Sequence, residues 1–559
     1  MDAVLRAAIN DALTTLGLPP SDFAIEHPKI LDHGDYACNV AMVLSKAVGQ
    51  SPRAIAEQLV AALADQIEYV DRIEIAGPGF LNFYLSRDFF SAEAFRVTEE
   101  GSGWGENDSE VGEVVLFEYT SPNLFKPLHI GNLVGNIVGE SFTRLFEMAG
   151  ADVRRMNYPS DIGLTVAKGV WGLQTTAANP NDIAALGNAY RVGNDAYEND
   201  PAAKTEIETI NRALYAGTDA SLSTLRDAGI ATSRRSLAAI CELLGTHFDT
   251  EITESQASAP GTEIVKANIG SVFTESNGAV IYEGEKVGLH TRVFLNSQGL
   301  PTYEAKDVGH FTLKEAAHPD WTQSIIVTGN EQTEYFKVLY AALRELFPAI
   351  ADKNLEHIPT GFLTLTTGKM SSRKGNVLTG ESLLAEVAEA AKERAAESRA
   401  EDINKLTNQL AVAAIKYQIL RYSVGSNIVF DKEQALSFEG DSGPYLQYTY
   451  ARALSVLEKA RGVGILPQLA PAPEVPYVLE RILYRFPEVI EAALADRAPH
   501  TVVTYLTELA GEFNSFYAHE KIADERDIHA PYKALLTTAV VITLKNGLWV
   551  LGIEAPEKM

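Results

Sequence analysis

The sequence predicts an α/β chain in three parts: a small α/β domain, a parallel-sheet core that carries an insertion, and a C-terminal α-helical bundle. Three observations predict it. Strand-like and helix-like runs alternate from about 113 to 380, the pattern of a parallel sheet covered by helices. Within that stretch a β-rich run, 114–117, leads through a loop into a helix pattern. One face of that pattern holds Leu133, Val134, Ile137, Val138, Phe142, Leu145 and Phe146. Beyond it, residues 405–559 read as mostly helical, interrupted by a Pro/Ala loop at 467–476.

Taken in order, residues 1–96 form the first part. Val4, Leu5, Ala8, Ile9, Ala12 and Leu13 make an amphipathic helix of 2–16, and further helix patterns lie at 37–48 and 52–65. Strands are expected at 72–76 and 80–85, split by Gly77-Pro78-Gly79. The polar, Gly-rich stretch 97–112 reads as a linker to a core of 113–400. In the core, strands are expected at 153–157 and 324–328. Between them an Ala-, Asn-, Asp- and Glu-rich stretch, about 165–290, reads as the insertion. No fixed-period repeat is present.

Composition sets bounds. The chain has 559 residues, 46% of them apolar, which is enough for several cores. It has no run of 18 apolar residues, so no membrane span is expected, and the amphipathic start is not a signal peptide. Cys38 and Cys241 are the only cysteines, which excludes a disulfide framework and a four-cysteine zinc site and suits a reducing cytoplasm. The formal net charge of −27 argues against nucleic-acid binding by the surface at large. Binding through a local basic patch stays open, and it would be strongly salt-sensitive.

Two segments carry chemistry. The first runs Glu118-Tyr-Thr-Ser-Pro-Asn-Leu-Phe-Lys-Pro-Leu-His-Ile-Gly-Asn132, at the turn from strand to helix. A helix start offers unpaired N–H groups and a positive dipole end to phosphates. Gly131 lets the backbone approach, and His129 can donate to a phosphate oxygen. The second, Thr367-Gly-Lys-Met-Ser-Ser-Arg-Lys-Gly-Asn376, packs cations, hydroxyls and glycines into a loop able to neutralise phosphate charge.

Together, in this order, they resemble the two signatures of class I aminoacyl-tRNA synthetases, and the flanking residues narrow the likeness to the arginyl-tRNA synthetases. The resemblance extends to His33–Ala41 and Ala76–Phe83 near the N-terminus, to Gly443–Arg452, and to Phe513–Tyr517 and the stretch 544–556. It implies a Rossmann-like class I synthetase catalytic core, an additional N-terminal domain that touches the tRNA elbow, and an anticodon-binding bundle at 405–559. It implies ATP-dependent attachment of arginine to its tRNA through arginyl-adenylate, with Mg2+ accompanying ATP and no zinc. The partners implied are tRNA for arginine, arginine and ATP, with a monomer expected.

Residue by residue, the resemblance gives Glu118, Asn123, Tyr303, Asp307 and Gln332 to the arginine site. Carboxylates suit a cation with a planar fork of donors. His129, Gly131, Asn132, Lys369, Met370 and Ser371 are expected at ATP. Lys126, His129, Lys369 and Lys374 are expected to stabilise transition-state charge, and Phe80 and Asn82 to read a splayed tRNA base. Two departures stand out. Asn132 replaces the usual second His of the first signature, and Ser372 replaces the second Lys of the other. Lys126, just before His129, reads as the replacement cation. Asn132 and the acidic charge motivate one alternative, a non-catalytic arginine- or tRNA-binding paralogue.

Overall fold

The structure is a computed structural model that describes residues 1–64, 66–366, 379–396, 398, 400–469 and 471–559. The basic segment, and with it Lys369, Met370, Ser371, Ser372 and Lys374, lies outside the described residues. The chain divides into two compact units. One holds residues 1–104, 453–486 and 511–543; the other holds 105–452, 487–510 and 544–559. The expectation of consecutive domains bounded at 96, 113, 400 and 405 differs from this division. The reason is that the long C-terminal helices Pro499–His519 and Ala530–Val550 each contribute residues to both units.

The larger unit is built on a parallel five-stranded sheet. Its spatial order is Asn354–Thr360, Gln323–Gly329, Val114–Glu118, Asp152–Asn157, Thr250–Glu251. The first strand in sequence is therefore central, with later strands added to either side of it. In such a sheet the loops leaving the central strand diverge, and a crevice opens at the strands' C-terminal ends. Val115, Leu116 and Phe117 are buried, as a strand covered on both faces requires. The helix Ile130–Met148 packs so closely on the sheet that a Cβ on Gly139 would overlap the Tyr119 side chain. Phe117, Phe142 and Phe146 form the aromatic heart of that packing.

The expected insertion of 165–290 proves composite. Helices Leu164–Thr176, Ile183–Asn199, Pro201–Ala216 and Ala220–Leu244 share a core of Phe125, Val166, Val170, Leu186, Ile207 and Leu214. Thr250–Glu251 then returns to the edge of the main sheet, too short a strand to show as a hydrophobic run. The helix Glu254–Ala267 crosses Tyr303–Ala317 at close range. Gly261 and Gly309 make this possible, since a Cβ on either would overlap the facing helix's backbone. The stretch 97–112 is not a free linker either. Its first residues complete the helix Arg87–Glu100, Trp104 is fully buried, and Asn107 and Glu110 donate backbone bonds to Met148 and Ala149.

The smaller unit contains a four-stranded sheet in the order Ile25–Glu26, Tyr36–Cys38, Phe80–Leu85, Val70–Ala76, all antiparallel. Residues 37–39 thus precede the helix Val40–Val48 rather than opening it. The buried alternation of Tyr36 and Cys38 suits a strand. In the same unit Arg87 bonds Glu480, and Arg481 bonds Asp35, a carboxylate with no exposed surface that also accepts from the Leu85 N–H. Removing one partner from such a buried pair costs about 3–5 kcal/mol, so these pairs tie the helix Arg87–Glu100 and the bend at Asp35 to the helix Val478–Leu483.

Candidate active site

A cavity of about 840 Å3 opens at the C-terminal ends of the central strands. It is lined by Glu118, Asn123, Lys126, His129, Gly131, Asn132, Tyr303, Asp307 and Gln332, which brings together every described residue expected at arginine or ATP. The distance in sequence is bridged by the sheet: Glu118 ends one strand, and Gln332 follows its neighbour Gln323–Gly329.

The helix Tyr303–Ala317 supplies one wall. Tyr303, Asp307, His310 and Lys314 fall on one face at helical spacing. Tyr303 is 58% exposed and stands at the mouth. Asp307 lies deeper and accepts a short hydrogen bond from the Tyr335 hydroxyl. Burial drives its carboxyl up to about 8; the Tyr335 bond opposes this, while repulsion from Glu118 and Glu254 adds to it.

Glu118 is buried and already engaged. Its Oε2 accepts from Lys314 Nζ at 3.0 Å and from His310 Nε2 at 2.9 Å. Burial alone would raise it, yet Lys314 and His310 override the desolvation and hold it at about 2. Burial lowers His310 more than Glu118 raises it, so a neutral imidazole donates from Nε2. Its ring stacks on Tyr158 at 3.8 Å and 8° between planes. His310, Lys314, Tyr335 and Tyr158 were missed in the sequence, although the first two continue the 303–307 spacing by one and two turns.

The opposite wall is the loop from Glu118 into the helix Ile130–Met148. Thr120, Ser121 and Phe125 have φ of 73°, 36° and 76°, a region that non-glycine residues rarely occupy. Such a backbone persists only where its surroundings over-determine it. Asn132 Nδ2 donates to the Thr120 carbonyl at 2.7 Å and Asn136 Nδ2 to the Thr120 hydroxyl at 2.9 Å. One N–H of the Asn132 amide is therefore spent on the bent loop itself, while the residue still lines the cavity. His129 caps the helix, its Nδ1 accepting from the Gly131 N–H at 3.1 Å. Burial and the nearby Lys126 both lower its pKa. Burial, with Lys168 adding, lowers that of Lys126 too, and its Nζ sits 5.1 Å from the centre of the Tyr190 ring.

In the other unit, Phe80 is 36% exposed at a strand end, whereas Asn82 is 4% exposed in mid-strand. Among the described residues no cluster of His, Cys, Asp and Glu could hold a metal ion. The same residues include no helix long and apolar enough to cross a membrane. Both cysteines are buried, and burial raises both thiols.

Family comparisons agree along the whole chain. A family described as "tRNA synthetases class I (R), catalytic domain" matches residues 101–432. "Arginyl tRNA synthetase N terminal domain" matches 3–85, and "DALR anticodon binding domain" matches 446–559. The arginine–tRNA ligase of Levilactobacillus brevis is 31% identical over 100% of this chain and 99% of its own. That of Enterococcus faecalis is 30% identical over the same shares. Among solved structures, Thermus thermophilus arginyl-tRNA synthetase superposes with a TM-score of 0.82 at 26% identity, covering 100% of both chains. The Plasmodium falciparum enzyme shares the fold, with a TM-score of 0.79 at 20% identity over 99% of this chain and 98% of that one. With its class I core, its N-terminal domain and its full-length kinship, the chain belongs to the arginyl-tRNA synthetase family.

Proposed function

We propose that the cavity at the sheet's C-terminal edge joins arginine to ATP and then passes the arginyl group to tRNA. The observation that carries this reading is the charge arrangement. Glu118 is balanced by Lys314 and Glu254 by Lys306, so among the described residues Asp307 is the buried carboxylate of the cavity left to neutralise a cationic substrate. A guanidinium entering the cavity meets Asp307, with Glu118 Oε1 as a second acceptor and Tyr303 closing over the mouth. Asn123 and Gln332, which line the same cavity, suit the α-amino group.

In the first step the arginine carboxylate attacks the α-phosphorus of ATP in line, and pyrophosphate leaves. No protein nucleophile is needed. Charge building on the phosphate oxygens is met by Lys126, by His129, by the N–H groups at the start of the helix Ile130–Met148, and by Lys369 and Lys374. Gly131, Asn132, Met370 and Ser371 complete the ATP site, with Asn132 acting by holding Thr120 in place. Mg2+ travels with the ATP phosphates, in keeping with a hard cation bound chiefly by substrate oxygens. In the second step the ribose hydroxyl at the end of tRNA attacks the carbonyl of the adenylate, the mixed anhydride breaks, and AMP leaves as the hydroxyl gives up its proton. Phe80, exposed at its strand end, is the better candidate to stack on a tRNA base. Asn82 is buried behind it and would need to be uncovered to read that base. The reading takes the chain as a monomeric cytoplasmic enzyme, consistent with its two buried, unpaired cysteines.

The test is charging of total tRNA with ATP and either arginine or lysine. Arginine alone should be attached, because a lysine ammonium leaves fork-oriented acceptors unpaired, at a discrimination of about 10^4-fold. Binding of tRNA and arginine by folded protein without release of pyrophosphate would favour the non-catalytic alternative.

A further inference from the structure

We propose that Phe125 is a positioning residue for the phosphate-binding loop, gripped by the insertion helices so that Lys126 and His129 enter the cavity in one direction. This rests on the reading of Lys126 and His129 as phosphate ligands. Phe125 points away from the cavity. It has no exposed surface and belongs to the core of the insertion, not to that of the sheet. Two insertion helices approach its ring through glycines, Gly169 of Leu164–Thr176 and Gly229 of Ala220–Leu244. A Cβ on either would overlap the ring. The Phe125 N–H donates to Ser233 Oγ at 2.8 Å, so backbone and side chain are both held from the same side.

The following residues continue the grip. Pro127 approaches to within 2.8 Å of where a Cβ on Gly187 would stand, and Tyr190, one turn along the same helix, lies beneath the Lys126 ammonium. With its backbone at a φ of 76°, Phe125 packs into the insertion, while the next residue, Lys126, lines the cavity with its ammonium over the Tyr190 ring. Anchoring the first therefore aims the second. Glycine at 169 and 229 is needed because any side chain would push the ring, and with it the loop.

The experiment is Gly229→Ala, followed by the double variant Phe125→Leu with Gly229→Ala, in which the smaller side chain makes room for the added methyl. ATP–pyrophosphate exchange is measured with arginine and tRNA present, beside thermal melting. Gly229→Ala should lower kcat on the order of 10^2-fold, the scale of a misplaced reacting group, with the arginine KM within about twofold of wild type. The double variant should recover most of the lost kcat. A wild-type kcat in Gly229→Ala overturns the proposal. So does a double variant that regains thermal stability but not turnover. Lys126→Ala, run alongside, separates the underlying reading. If it turns over normally while Gly229→Ala is slow and rescued, Lys126 is not the phosphate cation and the clamp acts through His129.

Discussion

The raised carboxyl of Asp307 predicts that the pH dependence of arginine binding has the sign of an ordinary carboxylate site but falls in the neutral range instead of near pH 4. In the empty cavity Asp307 titrates at about 8, pushed up by burial and by Glu118 and Glu254 against the pull of Tyr335. A guanidinium binds the ionised form, so below that pH each arginine must displace a proton. The apparent Kd should then weaken about tenfold per pH unit, or ~1.4 kcal/mol, and level off above pH 8. At pH 7 binding should be about tenfold weaker than the plateau, with about 0.9 proton released per arginine. The sign for stability runs the other way. Between the ordinary carboxylate range and about 8 the folded protein holds a proton that the unfolded chain has lost, so Asp307 makes the empty protein less stable as pH rises through that window. Calorimetric titration with arginine in two buffers of different ionisation heat, from pH 6.5 to 9, reads both affinity and proton release. Asp307→Asn should abolish the release and weaken binding by about 3–5 kcal/mol. An unchanged Kd across that range, with no proton released, would refute the reasoning.

Other expectations follow from the same geometry. Lys126→Ala should slow adenylate formation by about 10^2-fold while leaving ATP affinity nearly intact, read by single-turnover kinetics. Lys314→Met leaves Glu118 buried without its cation and should cost about 3–5 kcal/mol of stability by denaturant titration; a cost under about 1 kcal/mol would show the pair to be dispensable. Gly261→Ala forces apart the helices Glu254–Ala267 and Tyr303–Ala317 and should destabilise by about 1–3 kcal/mol, seen as a lower urea midpoint. Phe80→Ala should raise the tRNA KM by the equivalent of about 1–3 kcal/mol with arginine and ATP parameters unchanged, and an unaltered tRNA KM would return Phe80 to a merely exposed strand end.

Much of this was legible in the chain because it is local. The strand, loop and helix of 114–148 declare themselves by a change of hydrophobic period, and the structure places that unit at the centre of its sheet. What stayed hidden depends on partners distant in sequence. Thr250–Glu251 is a strand only because Met156 and Asn157 lie beside it. The single-residue step, Asn39, from Tyr36–Cys38 into its helix has no periodicity to read. Helix spacing alone does not show what Lys314 pairs with, because its partner Glu118 lies 196 residues earlier. Asn132 illustrates the same limit within one motif. Its amide nitrogen carries two N–H groups, and the use of one of them on the Thr120 carbonyl follows from a bend in the loop that the motif does not show.

The helix that opens with the phosphate signature is also held from its far end. Arg144 donates to the Trp549 carbonyl across 405 residues and to the Gly245 carbonyl. Lys416, wholly buried, ties the carbonyls of Leu244 and Gly552 together at 2.6 and 2.5 Å. The order of synthesis gives these contacts a timing. A growing chain emerges N-terminal end first and its earlier segments collapse while later ones are still being made. The strand, the signature loop and the insertion can assemble early. The clamps on Arg144 and Lys416 have to wait until residues 549–552 leave the ribosome. A nascent chain arrested before that point carries the signature residues on a helix still lacking the Arg144–Trp549 bond, and the tie from Lys416 to Gly552 is missing with it.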